Sequence, residues 1–283
     1  MTFLERILFK SPRLSNWLIG KLIAEELRAY GVNHFVVYDI GARWGIWEPF
    51  HCLPLPLVKV GFEPEPQEAE KLEKSGVFDT VCPVGLSGDG GDKTLHIAKN
   101  LGASSIYGPD LDSIARFCDP GIFEVQKEIC ISTFTLGSAV KKFQLQAPDF
   151  IKLDVEGAEL EIMKGGEEAI RNASGILFES RLSRFYNAEP VHGEIVEYLQ
   201  KLGFMQIAFN PVGSFSGAHM LIDAGMARNL RVEENPVRLL KSAAFSLIVG
   251  NMEYAINLLR AVKHRTGLRS KTGLLVSKLF PKS

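Results

Sequence analysis

Apolar positions fall into short blocks whose spacing alternates between helix and strand. In residues 15–30, Trp17, Leu18, Leu22, Ile23 and Leu27 recur at helical spacing and Gly31 supplies a stop, which predicts a lead-in helix. Residues 34–40 form a short β-branched and aromatic run, the pattern of a strand buried on both faces of a parallel sheet. A short helix near residues 44–52, a strand over 58–63, a helix over 66–75 and a strand over 77–86 follow. Residues 87–92 are turn-rich, and 93–98 and 123–133 both favour strand, so this part predicts a local antiparallel insertion. The alternation resumes with a strand at 149–155, a helix at 159–170, a strand at 175–179, a helix at 191–202, and two strands near 204–209 and 218–223. Such a succession predicts a doubly wound α/β fold with a mostly parallel sheet and helices on both faces. Beyond Gly225 the pattern turns helical, over 237–248 and 254–263. Three segments result: a helical lead-in (1–32), an α/β domain (33–224) and a helical appendage with a basic tail (225–283).

Composition narrows the partners. A chain of 283 residues with 46% hydrophobic and 23% charged residues is long enough for one large α/β domain, and its net charge of −1 gives no pull toward nucleic acid. Cys52, Cys82, Cys118 and Cys130 form no C-x-x-C pair and read as free thiols. Residues 1–10 carry Glu5, Arg6 and Lys10 and do not resemble a secretory segment, and the longest apolar stretch, 243–249, is far too short to span a bilayer, so a cytoplasmic address is expected. From Arg260 to Lys282 basic residues alternate with apolar ones without an acid. Such an end can touch an anionic membrane surface or a polyanionic glycan, but a solvated tail is the default reading.

The chemistry concentrates where strands end. The first strand closes on Asp39, followed by the turn Gly41-Ala42-Arg43-Trp44-Gly45; the second closes on Glu63 before Pro64. Glycines in such a turn let backbone approach a ligand, and an acid at the tip of the second strand can accept both hydroxyls of a ribose. A nicotinamide dinucleotide would call for G-x-G-x-x-G to hold its pyrophosphate, and this chain has Asp39 where the first glycine should stand. A carboxylate there repels a diphosphate and suits the ammonium of a methionine moiety, which favours S-adenosylmethionine.

A third segment, Asp149-Phe150-Ile151-Lys152-Leu153-Asp154-Val155-Glu156-Gly157-Ala158-Glu159, ends a strand in a cluster of charges. With the turn at 39–45, Phe62-Glu63-Pro64 and the serine segment Gly102-Ala103-Ser104-Ser105-Ile106-Tyr107, it resembles the FkbM-type methyltransferase family, which carries these four blocks in this order. The resemblance runs from about residue 36 to 204; Arg43 departs from it, the family usually placing asparagine there. It implies a seven-stranded class I methyltransferase (Rossmann-like) sheet, S-adenosylmethionine as cofactor, and a hydroxyl acceptor on a sugar, glycan or other natural product. Asp39, Gly41, Ala42, Gly45 and Glu63 are then expected at the cofactor, with Leu86 and Ser87 beside the adenine. Ser104, Ser105 and Tyr107 are expected to offer hydroxyls to cofactor or substrate.

Methyl transfer requires in-line approach at ~3–3.5 Å and, for a hydroxyl acceptor, a group that removes the proton. Asp154, Glu156 and Glu179 stand at strand ends, and His192 stands near a helix start; each is a candidate base or orienting group. A pair of the carboxylates could also hold a divalent cation, a question the sequence leaves open. Equally, Glu156 could cap the next helix, Glu179 could pair with Arg181 or Arg184, and Lys152 could be a buried ion-pair partner. Trp44 and Trp47 could stack on a ligand, with core packing the default for Trp47. Loops at 108–121 and 210–217 are expected to select the acceptor. A fold of this kind used only for binding is the alternative, with Arg43 as its support. The oligomeric state is not legible.

Overall fold

The computed structural model describes residues 12–215 and 218–266. Ten strands appear in chain order: β1 (Phe35–Ile40), β2 (Leu57–Phe62), β3 (Thr80–Cys82), β4 (Gly85–Leu86), β5 (Gly91–Ala98), β6 (Val125–Phe134), β7 (Phe150–Leu153), β8 (Gly175–Arg181), β9 (Phe204–Phe215) and β10 (Ala218–Arg228). Seven of them make one sheet in the order β3-β2-β1-β7-β8-β10-β9. β1 pairs in parallel with β2 and β7, while β10 is antiparallel to both β8 and β9. This is the doubly wound, mostly parallel seven-stranded sheet that the resemblance implies, with one reversed strand.

Side-chain alternation assigns the two faces. Phe35 and Val37 of β1 pack with α1 (Pro12–Ala29), α2 (Pro66–Ser75), α8 (Pro236–Ile248) and α9 (Met252–Thr266). Val36, Tyr38 and Ile40 pack on the opposite face with α4 (Leu136–Lys142), α5 (Glu159–Gly165), α6 (Glu167–Asn172) and α7 (His192–Lys201). Every residue of β1 is buried, as a strand covered on both faces must be. The buried Arg228, at the end of β10, donates to the carbonyls of Ala173 and Leu202, so one cation satisfies orphan acceptors at the ends of α6 and α7.

Several boundaries differ from expectation, each for a packing reason. The run 77–86 is not one strand: β3 ends at Cys82, and after Pro83 the chain leaves the main sheet, so Leu86 lies in β4. β4 pairs in parallel with β6, and β6 pairs antiparallel with β5, making a second, three-stranded sheet. The helix expected over 159–170 breaks at Gly165 and Gly166, where a Cβ on Gly166 would meet Leu136 Cβ at 2.5 Å. β9 continues through part of the supposed loop 210–217, because β10 supplies hydrogen-bond partners as far as Phe215. The loop at 108–121 instead contains a short helix, α3 (Leu111–Ile114).

β10 runs on to Arg228, past residue 224, and α8 and α9 bury Leu239, Phe245, Leu258 and Leu259 in the same core as β1 and α1. No helix among the described residues is long and apolar enough to cross a membrane. Residues 1–11 and the basic tail from 267 onward lie outside the described residues.

Phe245 stacks on Phe150 with ring centroids 5.6 Å apart. Phe245→Ala is expected to cost about 3–5 kcal/mol in chemical denaturation. A loss below about 1 kcal/mol would show that α8 contributes little to the core of the sheet.

Candidate active site

A cavity of about 300 Å³ opens beyond the carboxyl ends of β1, β2, β7 and β8, where open α/β sheets take their ligands. Gly41, Glu63, Asp154, Glu156 and Glu179 line its sheet side. The small second sheet covers the other side with Leu86, Leu95 and Ile131, joined by Ser104, Ser105 and Ile106.

The turn after β1 is fixed by close approach. Gly41 has φ +83°, and a Cβ there would fall 1.9 Å from the Asp154 carbonyl oxygen, so only glycine lets the two strand ends pass. Asp39 is fully buried beneath this turn. Its Oδ2 accepts from the Trp47 N–H at 2.8 Å, and its Oδ1 lies 3.1 Å from Lys152 Nζ. Lys152 reaches Asp154 as well, at 3.2 Å; burial disfavours its charge, but the two carboxylates outweigh that and hold it protonated. Asp39 is thus not among the cavity-lining residues, and the acid beside it that does face the cavity is Asp154. Ala42 and Gly45 shape the turn without lining the cavity, Ala42 through an N–H bond to the Phe62 carbonyl and Gly45 through its φ of +94°.

Glu63 is buried at the cavity wall, with Oε1 accepting from the Glu65 N–H at 2.9 Å. Burial pushes its carboxyl up to about 7. Arg43 lines the cavity too, but its guanidinium is tied to Glu65 at 2.8 Å and to Glu68 at 3.8 Å, which accounts for an arginine at this turn. Trp44 stands 76% exposed at the mouth, whereas Trp47 packs edge-on against Phe50.

Three carboxylates meet at the far end: one oxygen from each of Asp154, Glu156 and Glu179 lies within 4.8 Å of the others. β7 stops at Leu153, so strand alternation does not bring them together; Glu156 gets there through a left-handed backbone, φ +56°. Arg181 contacts Glu156, lies 3.5 Å from Glu179 and donates to Glu189 at 3.0 Å. Burial and the neighbouring Glu156 and Asp154 push Glu179 well above the usual carboxylate range. Asp223, opposite Glu179 in the β8–β10 register, is raised to about 6 by burial and then by Asp154. For a divalent cation the donor set fits poorly, because Glu156 is already engaged by Arg181 and Tyr186, and Asp154 by Lys152.

Several predicted residues have other work. Glu159, not Glu156, caps the turn, accepting from Val155 and Gly157 N–H groups at 3.0 and 3.1 Å. Ser87 is fully buried and organises its own loop through Gly90 and Thr133. Tyr107 donates to Glu161 at 2.6 Å and is not a lining residue, whereas Ser105 donates to the Glu156 carbonyl at 2.7 Å. His192 lies on the other side of β8 from Glu179, stacked on Phe178 and bonded to Ser180 at 2.9 Å. Burial lowers its proton affinity, and it takes no part in the cavity. Tyr186, Glu189 and Asp223 carried no expectation from the sequence, and Arg181 was expected only as a pairing partner of Glu179, which it approaches at 3.5 Å. Arg181 was legible because it stands two residues beyond Glu179 on the same strand; Glu189 gave no local signal.

The profile of the methyltransferase FkbM domain matches residues 39–205, more than half of the chain and all four blocks of the resemblance. The chain belongs to the FkbM methyltransferase family. This FkbM protein is similar to methyltransferase sdnD of Sordaria araneosa, with 26% identity over 57% of this chain and 76% of that one. Among solved structures it is similar to precorrin-6y C5,15-methyltransferase of Geobacter metallireducens GS-15, at 12% identity and TM-score 0.36, over 73% and 86% of the two chains. A magnesium protoporphyrin IX methyltransferase from Synechocystis PCC 6803, solved with bound S-adenosylmethionine, gives 12% and 0.37 over 76% and 80%.

The FkbM protein is an S-adenosylmethionine-dependent methyltransferase, and its cavity fits that cofactor. The lining supplies carboxylates suited to a sulfonium and an ammonium, a buried acid at the tip of β2 and an apolar wall, and it offers no free cation among the described residues for a diphosphate. When bound, the cofactor supplies an electrophilic methyl group.

Because folding raises the Glu63 carboxyl from 4.5 to about 7, the protein without ligand loses stability as pH rises through that window. Glu63→Gln is therefore expected to be more stable than wild type above pH ~7, by on the order of 3 kcal/mol at most, and equal to it near pH ~4. Parallel denaturation curves at the two pH values check this.

Proposed function

We propose that this FkbM methyltransferase methylates a hydroxyl oxygen of a sugar, glycan or other natural product. The observation that carries the reading is the convergence of Asp154, Glu156 and Glu179 at one end of the cavity, with Glu63 lining the same space. A hydroxyl acceptor brings proton donors, and carboxylates are acceptor-only groups that can orient them and take the proton as the oxygen bonds the methyl carbon. An anionic acceptor would meet these acids without a compensating cation, since Lys152 and Arg181 are buried behind them.

On this reading Glu63 accepts from the ribose hydroxyls of the cofactor and Leu86 packs beside its adenine. Gly41 and the backbone of the turn hold the methionine end, with Asp154 nearer to it than Asp39. Ser104 and Ser105 border the acceptor, and Glu179 is the proton acceptor. A binding-only role rests on Arg43, which is engaged with Glu65 and Glu68.

Calorimetric titration with S-adenosylhomocysteine, with a nicotinamide dinucleotide as control, is expected to give saturable binding of the sulfur ligand alone. Glu63→Ala should weaken it about 10- to 100-fold, the worth of a hydrogen bond to a charged group. Wild-type affinity should fall as pH drops below about 7, where Glu63 takes up a proton and ceases to accept from both hydroxyls. Retained affinity in Glu63→Ala would remove the ribose assignment.

With a panel of sugars, glycans and polyketide alcohols and labelled cofactor, Glu179→Gln is expected to lower methyl transfer roughly 100-fold or more while cofactor affinity holds. Transfer to amines but to no alcohol would overturn the hydroxyl reading.

A further inference from the structure

Behind the carboxylate cluster, Arg181 does not line the cavity, yet it sits where the cluster, the β8–α7 connection and the insertion meet. It is buried and lies against the rings of Phe185 and Tyr186, 5.6 and 5.1 Å from their centroids. Its own position is over-determined. Glu189 accepts from Arg181, and also from the Phe185 and Tyr186 N–H groups at 2.6 and 3.1 Å, which folds residues 181–189 into a compact loop. The hydroxyl of Tyr186 lies 3.0 Å from Glu156 Oε2 and 2.8 Å from the Ala103 carbonyl, tying that loop to the serine segment of the insertion.

Glu156 is the residue on which this framework acts. A non-glycine residue held at φ +56° costs on the order of 1 kcal/mol, and such strain persists only where surrounding contacts enforce it. Here the following Gly157, φ +106°, is held by Glu159, and the Glu156 carbonyl accepts from Ser105 Oγ at 2.7 Å. The backbone is pinned from two sides and the carboxylate from two more.

We propose that Arg181 is a positioning residue: with Tyr186 it fixes the Glu156 carboxylate in the cavity wall before the acceptor arrives, so that Glu156 orients the acceptor while Glu179 remains free to take its proton. The inference rests on the hydroxyl-acceptor reading above. It divides the work between two acids that are close in space but differ in their partners. Glu156 has a guanidinium and a phenol bonded to it, while the buried Oε1 of Glu179 has no hydrogen bond and only the more distant approach of Arg181. A carboxylate whose lone pairs are tied to permanent donors is a poor proton carrier but a rigid anchor.

The test uses the full chain, with Arg181→Met, Arg181→Lys and Tyr186→Phe beside wild type. Protein labelled with carboxyl-carbon-13 glutamate is titrated by NMR without ligand, and Glu156→Gln identifies the Glu156 resonance. The groups facing that carboxylate are Arg181, Tyr186, Asp154 and Glu179, and only the first two are altered. Glu156 is expected to titrate at higher pH in Arg181→Met than in wild type, with Arg181→Lys in between. S-adenosylhomocysteine affinity should stay unchanged, and methyl transfer to the alcohol panel should fall roughly 100-fold, the loss lying in kcat rather than KM. Tyr186→Phe removes one hydroxyl, so it keeps the test open if Arg181→Met does not fold, and it should show the same changes in smaller degree.

An unmoved Glu156 resonance, or methyl transfer at the wild-type rate in Arg181→Met and Tyr186→Phe, overturns the proposal. So does a loss of thermal stability with kcat intact, the outcome of a purely structural ion pair. Failure of the wild-type protein to methylate any alcohol overturns the reading beneath it, and is recognisable because it needs no substitution.

Discussion

The structure turns on how this chain keeps a dense group of carboxylates at the ends of its central strands. Asp39, Asp154, Glu156, Glu179 and Asp223 gather there around Lys152 and Arg181, largely out of water. Removing a carboxylate from water is costly unless cations and hydrogen bonds replace its hydration, and here the cations sit on the protein side of the cluster. The proton affinities record the incomplete compensation, with burial raising Glu63, Glu156, Glu179 and Asp223 above their ordinary values. A site in this condition has unspent affinity for groups that bring positive charge or proton donors. That is the character required of a pocket for a sulfonium cofactor.

Holding such a site requires a stable frame around it. The helices α1, α8 and α9 cover one face of the sheet and α4 to α7 the other, so the strands that carry the acids are buried on both sides up to their last residues. Their ends are then locked by backbone geometry: Gly41 passes beneath the Asp154 carbonyl, and Glu159 closes the turn through Gly157. Stability from the layers offsets the cost of the charges, an arrangement in which the functional end is the weakly compensated part of a well-packed domain.

The insertion between β3 and α4 completes the cavity. Its three-stranded sheet sets an apolar wall opposite the acids, and its serine segment is bonded to Glu156 and, through Tyr186, to the β8–α7 connection. A cluster of Ile114, Phe123, Phe185 and Tyr186 holds insertion and connection together. The cavity is thus walled on one side by the ends of the main sheet and on the other by the insertion.

The sequence by itself determined the element order, the parallel core and the three strand-end blocks, because periodicity, glycine turns and terminal acids are local signals. Phe35–Ile40 and Pro66–Ser75 fall where the apolar pattern puts them. Family membership was legible for the same reason, since contiguous blocks carry it. What the sequence did not contain was distance. His192 looked like a base beside a cleft, but strand alternation turns Ser180 and its partner His192 away from Glu179. Asp39 was expected at the cofactor and lies buried beneath the turn, 3.1 Å from Lys152 on the neighbouring strand. Asp154 and Glu156 looked like residues of a strand end, yet a left-handed residue places them together after the strand has stopped at Leu153. Arg181, Glu189 and Asp223 entered the site through register and loop closure between separate elements. Only the tertiary structure decides such pairings, because the side chain that compensates a buried charge is chosen by proximity in the packed fold and leaves no mark on the residues next to it in sequence.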